Sequence, residues 1–486
     1  MILRSVFRAP GVKCLQYVAM GLALIAVVRA RGQAASSSAT GQLLVRNGIV
    51  FTLKEGDDQP RKGYLLVGAD GRIQQVGSGD PPAGITGATV LDATGKFIVP
   101  GFVSAHNHIY QSVMRGLAMD HTLFGWIEGA LTPIDSISTP EDRYYATIAG
   151  CFDLLRHGIT SAFNFNDAEG KPGFDREALR GELDSGIRFV HAYCLPFTGT
   201  RESRLRDFEA FYSYSRAFAD RPTFLALGLG GYSCSIDDRS YALLEGEIMR
   251  KYGLYNEAHY QESPDNSEIV AENARFQGYV QSGELGPHLS FGHFIHVDDA
   301  ILRQVSAAGA GMVWNPLSNG RLASGVADIP KFRKLGIRIG MGVDGQASAD
   351  LADPFENMRT GLYLIRAKYQ DAGILQPRDV LRFHTLGSAD VIGVSNRVGS
   401  LEPGKYADFL VIDPHAMETG PVYDPCGTLV LACDTANISQ VYVGGRLVVD
   451  NGVVQSPIFA RVNAEANRRF SVLGQRAAAI RVSGER

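Results

Sequence analysis

Four histidines and one aspartate stand at positions where they could share one reactive centre. His106 and His108 are separated by a single residue. Residues two apart on a β-strand point to the same face, so these two imidazoles would converge. His259, His293 and Asp344 each end a further apolar, strand-like segment. Imidazole and carboxylate groups suit Zn²⁺ or Fe²⁺, and three or four protein ligands leave a position for water.

A centre of this kind would make a nucleophile out of water. A bound divalent ion lowers the pKa of water toward about 7, so attack becomes feasible at neutral pH. Each residue taken singly has a structural explanation, as a buried histidine with a partner or as an aspartate that caps a turn. Their shared place at the ends of four different strand-like segments favours chemistry.

The segments that position these residues repeat a strand, loop and helix pattern. Carboxyl ends of the strands form the catalytic mouth of a TIM barrel, which would bring the five side chains together. No glycine-rich dinucleotide turn follows the first strand, so a (β/α)8 barrel is favoured over a doubly wound sheet within the α/β class. The predicted strands span residues 102–106, 159–163, 187–193, 223–227, 254–259, 288–293, 311–315 and 337–344.

Short alternating strands with turn signals flank the barrel on both sides, and two such flanks could pair into one composite β-sandwich domain. An Ala- and Arg-rich tail follows and is predicted to be a surface helix. The predicted domains are a leader at residues 1–40, a first β-sandwich segment at 42–99, the metal-dependent barrel at 100–397, a second β-sandwich segment at 398–455 and a helical tail at 456–486.

The amino terminus has the order of a secretory signal. Basic residues precede an apolar run at residues 15–28, and a small-x-small site and a small polar stretch follow. The run is short for a membrane span, which needs about 20 residues. We therefore expect export to the periplasm or medium after cleavage, with an uncleaved membrane anchor as the alternative. Export would allow a disulfide such as Cys426 with Cys433.

Composition limits the function classes. The 486 residues are 45% hydrophobic and 20% charged, as in a soluble globular protein with a sizeable core. The net charge is −4, and no long basic stretch lies beyond the amino terminus, which argues against a nucleic-acid partner. None of the six cysteines forms a CxxC pair. We expect a small-molecule substrate and a homo-oligomer.

With these motifs in place, the chain resembles the amidohydrolase superfamily, in the mononuclear branch of cytosine, guanine and adenosylhomocysteine deaminases and triazine hydrolases. The resemblance covers about residues 42–455. It rests on VPGFVSAHNH at 99–108, HYQE at 259–262, GH at 292–293, GVDG at 342–345 and GSLEPGKYAD at 399–408.

The resemblance implies a role for each site residue. One divalent ion, zinc or alternatively iron, would be held by His106, His108, His259 and Asp344. Glu262 would be the acid/base that handles a substrate proton, His293 would orient and polarise the attacking water, and Asp344 can take the proton of that water. Other branches bridge two metals with a carboxylated lysine on the fourth strand, but no lysine occurs between Lys171 and Lys251. One metal ion is therefore predicted.

Two departures bear on the substrate. Adenosine-type deaminases of this branch carry a histidine where this chain has Leu229, which argues against a ribose-bearing substrate. WNPLSN at 314–319 matches only partly the more usual HCPxSN motif. Candidate substrate-binding residues are Gln111, Arg115, Trp126 and Asn315, although Arg115 could equally pair with a helix carboxylate.

Three functions compete. The leading hypothesis is attack on an sp² carbon of a nitrogen heterocycle with loss of its amino group. The alternative is an amide, urea or triazine-type hydrolase that releases a larger amine or another leaving group. A distant third is a binding protein on a metal-free barrel, against which the complete set of ligands argues.

Overall fold

A computed structural model describes residues 43–57, 59–233 and 235–484 of the chain. The predicted leader, residues 1–40, lies outside these ranges, so export stays a prediction. Among the described residues, no helix has both the length and the apolar character that a membrane span requires.

The first strands belong to the flanking β domain. They are short and separated by turns, as the alternating sequence pattern predicts. Strand β1 pairs with β2 antiparallel and with β4 and β5 parallel. The five strands are β1 Leu43–Val50, β2 Arg61–Val67, β3 Ile73–Ser78, β4 Thr89–Asp92 and β5 Phe97–Pro100.

Eight parallel strands follow in an eight-stranded sheet, each paired with the next in chain order. The sheet closes where the Asp344 N–H, just beyond the last strand, donates to the His106 carbonyl at 3.2 Å. The predicted (β/α)8 barrel is confirmed, and all eight predicted strands are present with boundaries shifted by a few residues. They are β6 Phe102–Asn107, β7 Ile159–Phe165, β8 Arg188–Tyr193, β9 Phe224–Gly231, β10 Asn256–Tyr260, β11 Leu289–His293, β12 Gly311–Trp314 and β13 Arg338–Met341.

Helices alternate with the barrel strands and start at side-chain caps. The helix from Pro354 begins at Asp353, whose carboxylate accepts from the Phe355 and Glu356 amides, as its sequence predicts. The main helices span Pro140–Arg156, Phe174–Ser185, Arg201–Ser215, Arg239–Tyr252, Asn266–Arg275, Gln277–Ser282, Asp299–Ala308, Pro316–Arg321, Ile329–Lys334, Pro354–Tyr369, Pro377–Arg382 and Ser388–Val391.

The second flank completes the β domain. Strand β5 pairs antiparallel with the first strand after the barrel, which joins the two flanks into one nine-stranded sheet. Its remaining strands are β14 Phe409–Ile412, β15 Ile438–Val443, β16 Arg446–Asp450 and β17 Val453–Val454. Asp408, the last residue of the GSLEPGKYAD motif, forms a buried ion pair with Arg188 of β8 at 2.6 Å. This pair ties the β domain to the barrel.

Two helical segments lie over the barrel mouth and its side. The segment we call the roof helix covers residues 123–135, where a π-helical turn at Ile127–Leu131 joins two short α-helical turns. The carboxyl-terminal helix, Phe459–Gly484, buries Leu473 in a cluster that contains Trp126 of the roof helix. Cys433 is a buried free thiol, so no bridge joins it to Cys426 in the structure.

Candidate active site

The two histidines of the HxH motif lie where β6 reaches the barrel mouth. Both are buried, and their rings are 4.9 Å apart, centroid to centroid. Each ring has a carboxylate oxygen close to its Nδ1. His106 Nδ1 lies 2.6 Å from Glu257 Oε1, and His108 Nδ1 donates to Asp167 Oδ2 at 2.5 Å. This arrangement fixes the rings and leaves each Nε2 pointing into the mouth.

Those Nε2 atoms meet a third histidine and an aspartate. His259 ends β10 with its Nε2 3.1 Å from His108 Nε2, and Asp344 Oδ1 lies 3.4 Å from His106 Nε2. Asp344 has a left-handed backbone with φ 58°, and Gly342 lets this turn approach the HxH strand. A Cβ at Gly342 would lie 2.6 Å from the His106 carbonyl oxygen.

The four predicted ligands fit a metal ion. His106 Nε2 is fully buried without a hydrogen-bond partner, and the ligand atoms of His106, His108 and His259 all lie within 4.8 Å of one another. Burial and the neighbouring imidazoles lower the pKa of His259 well below its usual value, which keeps its lone pair available. Burial alone would raise the pKa of Asp344, but the adjacent imidazoles hold it well below the usual range. Three nitrogens and one carboxylate oxygen are a donor set that zinc and iron accept.

His293 faces this set from β11 and is uncharged. Burial lowers its pKa to about 3. The Asn319 amide donates to His293 Nδ1 at 2.7 Å, so the ring proton lies on Nε2. That nitrogen is 3.5 Å from Glu262 Oε2 and 3.9 Å from Asp344 Oδ2. His293 is therefore a hydrogen-bond donor aimed at the centre of the site.

The pKa of Glu262 is shifted in the opposite direction from that of Asp344. Its carboxyl is buried, and this burial together with the charge of Asp344 raises its pKa well above the usual value. Ser318 Oγ donates to Asp344 Oδ2 at 2.5 Å and supports the ionised form there. Two carboxyl groups whose surroundings separate their pKa values supply one acid and one base.

A cavity of about 610 Å³ opens from these residues to the surface. The predicted substrate-binding residues Gln111 and Trp126 line it. Gln111 is buried with its Oε1 unpaired, and Trp126 donates to the Ala347 carbonyl at 2.8 Å. The roof helix covers the cavity, and Tyr232 and Phe197 form an aromatic wall beside it.

Two predicted substrate-binding residues lie elsewhere. Arg115 is exposed outside the cavity, where its guanidinium pairs with Asp153 of the helix Pro140–Arg156. This is the contact with a helix carboxylate that the sequence also allowed. Asn315 is fully buried and absent from the cavity wall, and its side-chain amide lies 3.5 Å from both ring nitrogens of His293.

Sequence reasoning also missed three residues that position the site. Glu257 precedes His259 by two residues on β10, so strand alternation could have identified it. Asp167 follows the end of β7 by two residues, and only the strand order of the barrel places it beside His108. Asn319 lies in the WNPLSN segment, whose likeness to the family motif was the available signal.

Comparisons with known proteins agree with this geometry. The profile of the amidohydrolase family matches residues 97–448. A 5-methylthioadenosine/S-adenosylhomocysteine deaminase from Symbiobacterium thermophilum is 28% identical over 439 residues, which cover 88% of this chain and 99% of that protein. The protein of the same name from Bacillus thuringiensis is 28% identical over 435 residues, or 87% and 97%.

Solved structures show the same fold. An adenosine deaminase from Xanthomonas campestris with bound zinc superposes with a TM-score of 0.80 at 21% identity, over 89% of this chain and 98% of that one. The atrazine chlorohydrolase TrzN from Arthrobacter aurescens, complexed with zinc, gives 0.78 at 20% identity, over 88% and 100%. The prediction of a hydrolase for carbon–nitrogen bonds other than peptide bonds is confirmed by the family match and the deaminase relatives. The chain belongs to the amidohydrolase family.

Proposed function

We propose that this protein hydrolytically removes an amino group from a nitrogen heterocycle. The observation that carries this proposal is the carboxyl of Glu262, which is buried 3.5 Å from His293 Nε2 and whose pKa burial raises well above the usual value. An amine is a poor leaving group until it is protonated, and a carboxylic acid at this position can donate that proton. The names of the relatives, deaminases of 5-methylthioadenosine and S-adenosylhomocysteine, support the same chemistry.

His106, His108, His259 and Asp344 would hold one divalent ion. When bound, such an ion acts as a Lewis acid that activates water and polarises the substrate. The single ion is supported by the absence of lysine from β9, the fourth barrel strand. Zinc is the ion we propose, because the similar adenosine deaminase and atrazine chlorohydrolase bind it, and iron is the alternative.

The side chains divide the proton transfers. Ionised Asp344 accepts the proton of the attacking water, and its Ser318 hydrogen bond holds the carboxylate in place. His293 presents Nε2–H to the reacting centre and stabilises the charge that develops there. Glu262 delivers its proton to the substrate nitrogen.

The pocket supports a flat, aromatic substrate without ribose. Trp126, Tyr232 and Phe197 give the cavity aromatic walls on which a heterocycle can stack. Leu229 is buried in β9 and does not line the cavity, so the position at which adenosine-type deaminases place a histidine offers the substrate no polar contact.

A screen tests the proposal directly. Metal-loaded protein is incubated with aminopurines, aminopyrimidines, aminotriazines, and matched amides and ureas, while ammonia and larger amines are measured separately. Ammonia release from a heterocyclic amine is the expected result. Turnover confined to amides, ureas or halogenated triazines would instead support the alternative leaving groups, for which Glu262 matters less.

We further propose that the protein is exported and forms a homo-oligomer. The leader sequence supports export, with an uncleaved anchor as the alternative. Amino-terminal sequencing of the native protein separates cleavage from retention of Met1, and sedimentation of the mature protein gives its assembly state.

A further inference from the structure

The wall of the cavity away from the ligand set is acidic. Besides Glu262 and Asp344, five carboxylates line it, whereas Arg275 is the single lysine or arginine among its described lining residues. These five are Asp135, Asp167, Glu169, Glu268 and Glu272.

Four of the five have partners within the protein. Asp135 pairs with Arg143 at 2.9 Å and with Lys171. Glu268 pairs with Arg275 at 3.2 Å. Asp167 pairs with His108 Nδ1, and Glu272 accepts a hydrogen bond from the backbone N–H of Gln261 at 2.6 Å.

Glu169 is the exception. It contacts the Tyr232 hydroxyl, 3.1 Å from Oε1, yet the same hydroxyl lies 2.8 Å from Asp167 Oδ1. A hydroxyl has one proton to give, so one of these two carboxylates goes without it. In the described part of the chain, no basic side chain lies within ion-pair distance of Glu169. Asp167 has further donors in His108 and Tyr110, whereas Glu169 has no other donor among the described residues.

Aromatic rings frame this carboxylate. Phe197 packs edge-on against Tyr232 at 4.8 Å between centroids, and it keeps 43% of its surface exposed although it lines the cavity. Ring faces beside a carboxylate attract cationic nitrogen, through the ring quadrupole as well as through charge.

We propose that the substrate carries a positively charged nitrogen, as an ammonium or amidinium substituent remote from the reacting carbon, and that this group binds Glu169 beside Tyr232 and Phe197. The inference rests on the proposed function and names its substrate class, a cationic heterocyclic amine. Burial and the charge of Asp167 raise the pKa of Glu169 to about 8, and the more distant charge of Arg143 offsets only part of this rise. A bound ammonium group would favour the ionised form.

A binding experiment tests the subsite without catalysis. Benzylammonium and its neutral analogue benzyl alcohol are titrated into the metal-loaded protein by calorimetry at pH 8.5, where most Glu169 is ionised. The wild type is expected to prefer the cation by about tenfold or more, the ratio that about 1.4 kcal/mol of differential binding gives. Glu169→Gln is expected to reduce this preference to within about twofold.

Glu268→Gln is the matched control. It removes the same charge from the same cavity, but from a carboxylate that already faces Arg275. If this variant keeps most of the preference, direct contact with Glu169 is responsible. An equal loss in both variants would show general electrostatic attraction and would overturn the subsite. Melting curves verify that both variants fold.

Two further outcomes separate this inference from its alternatives. Deamination of neutral heterocyclic amines, with no preference for cationic partners in kcat/KM or in binding, would overturn the subsite and leave the proposed function standing. A clear preference in binding without ammonia release from any amine would support the subsite and overturn the proposed function.

A metal ion is the other candidate occupant, because Asp167, Glu169 and Cys194 place ligand atoms within 4.8 Å of one another. A second divalent ion in elemental analysis, lost in both Glu169→Gln and Cys194→Ser, would replace the organic cation.

Discussion

The ligand set at the mouth and the carboxyl pair Glu245 and Glu284 are both buried groups of titratable side chains, but they are partnered differently. In the carboxyl pair, Ser233 Oγ contacts both carboxyls, and Glu284 also accepts from Ser282 at 2.7 Å and from Asn256 at 3.0 Å. Every polar atom of the pair that is described has a partner. Such a network stabilises one structure and leaves none of the four carboxyl oxygens open to a ligand.

The ligand set keeps unsatisfied atoms. His106 Nε2 has no hydrogen-bond partner, and the Nε2 atoms of His108 and His259 face each other at 3.1 Å. Burial alone therefore does not distinguish a functional cluster, since both groups are buried. What distinguishes it is the polar atoms that the fold leaves open toward a shared point.

The largest effect on metal binding and activity is expected when one of the predicted ligands is removed. We expect His259→Ala to lose most of its bound metal and nearly all activity, because the ring ends β10 at the mouth and no other side chain can take its place. Elemental analysis of the purified variant, alongside circular dichroism, checks this. A variant that binds metal as the wild type does would remove His259 from the ligand set.

Glu262→Gln separates the acid from the ligands. The amide keeps the size of the side chain but has no acidic proton to donate, so we expect kcat to fall about 10²–10⁴-fold with the metal content unchanged. Steady-state kinetics and metal analysis on one preparation test this. Near-normal turnover with a lowered melting temperature would assign Glu262 a structural role instead.

Substitutions of Asn319 test whether His293 carries its ring proton on Nε2. Asn319→Ala removes the donor to Nδ1 and is expected to lower kcat by about tenfold, within the range of outer-shell substitutions at metal sites. Asn319→Asp should cost more, since a carboxylate accepts from Nδ1–H and moves the ring proton away from Nε2. The pH dependence of kcat and NMR of the His293 ring nitrogens report this change. Equal effects of both variants would contradict it.

The smallest effect on activity is expected at the carboxyl pair. Burial raises the pKa of Glu245 to about 7. Folding therefore takes up a proton between the unfolded value of about 4.5 and pH 7, and stability falls as the pH rises through that window. Glu245→Gln mimics the protonated acid. The melting temperature of the variant minus that of the wild type should therefore increase from pH 5 to pH 8. A constant difference across this range would argue against the raised pKa.

The barrel and the ligand set could be predicted from the sequence because both follow from local pattern. Each predicted ligand lies near or just beyond the carboxyl end of a strand, and parallel strands bring these ends to the same edge. Arg115 could not be placed in this way. It follows the HxH strand closely enough to reach the pocket, but its long side chain turns to Asp153 on a neighbouring helix.

Asn315 shows a second limit. It directly follows β12, yet its side chain is fully buried against His293 and does not line the cavity. Glu169 shows the reverse, since no motif contains it. Its place beside Tyr232 comes from a loop after β7 and the end of β9, which are far apart in the chain. Loop conformation decides such contacts, and no periodicity encodes it.

The carboxyl-terminal helix has a consequence for the pocket. Leu473 and Ala477 pack in one cluster with Trp126 and Ile134 of the roof helix, and Trp126 also lines the cavity. Any outward swing of the roof must therefore uncover apolar surface on the tail, at about 25 cal/mol for each Å² exposed. Packing against the carboxyl-terminal helix therefore opposes opening of the pocket. Substitutions in it can retune which molecules enter while every residue that touches them stays the same.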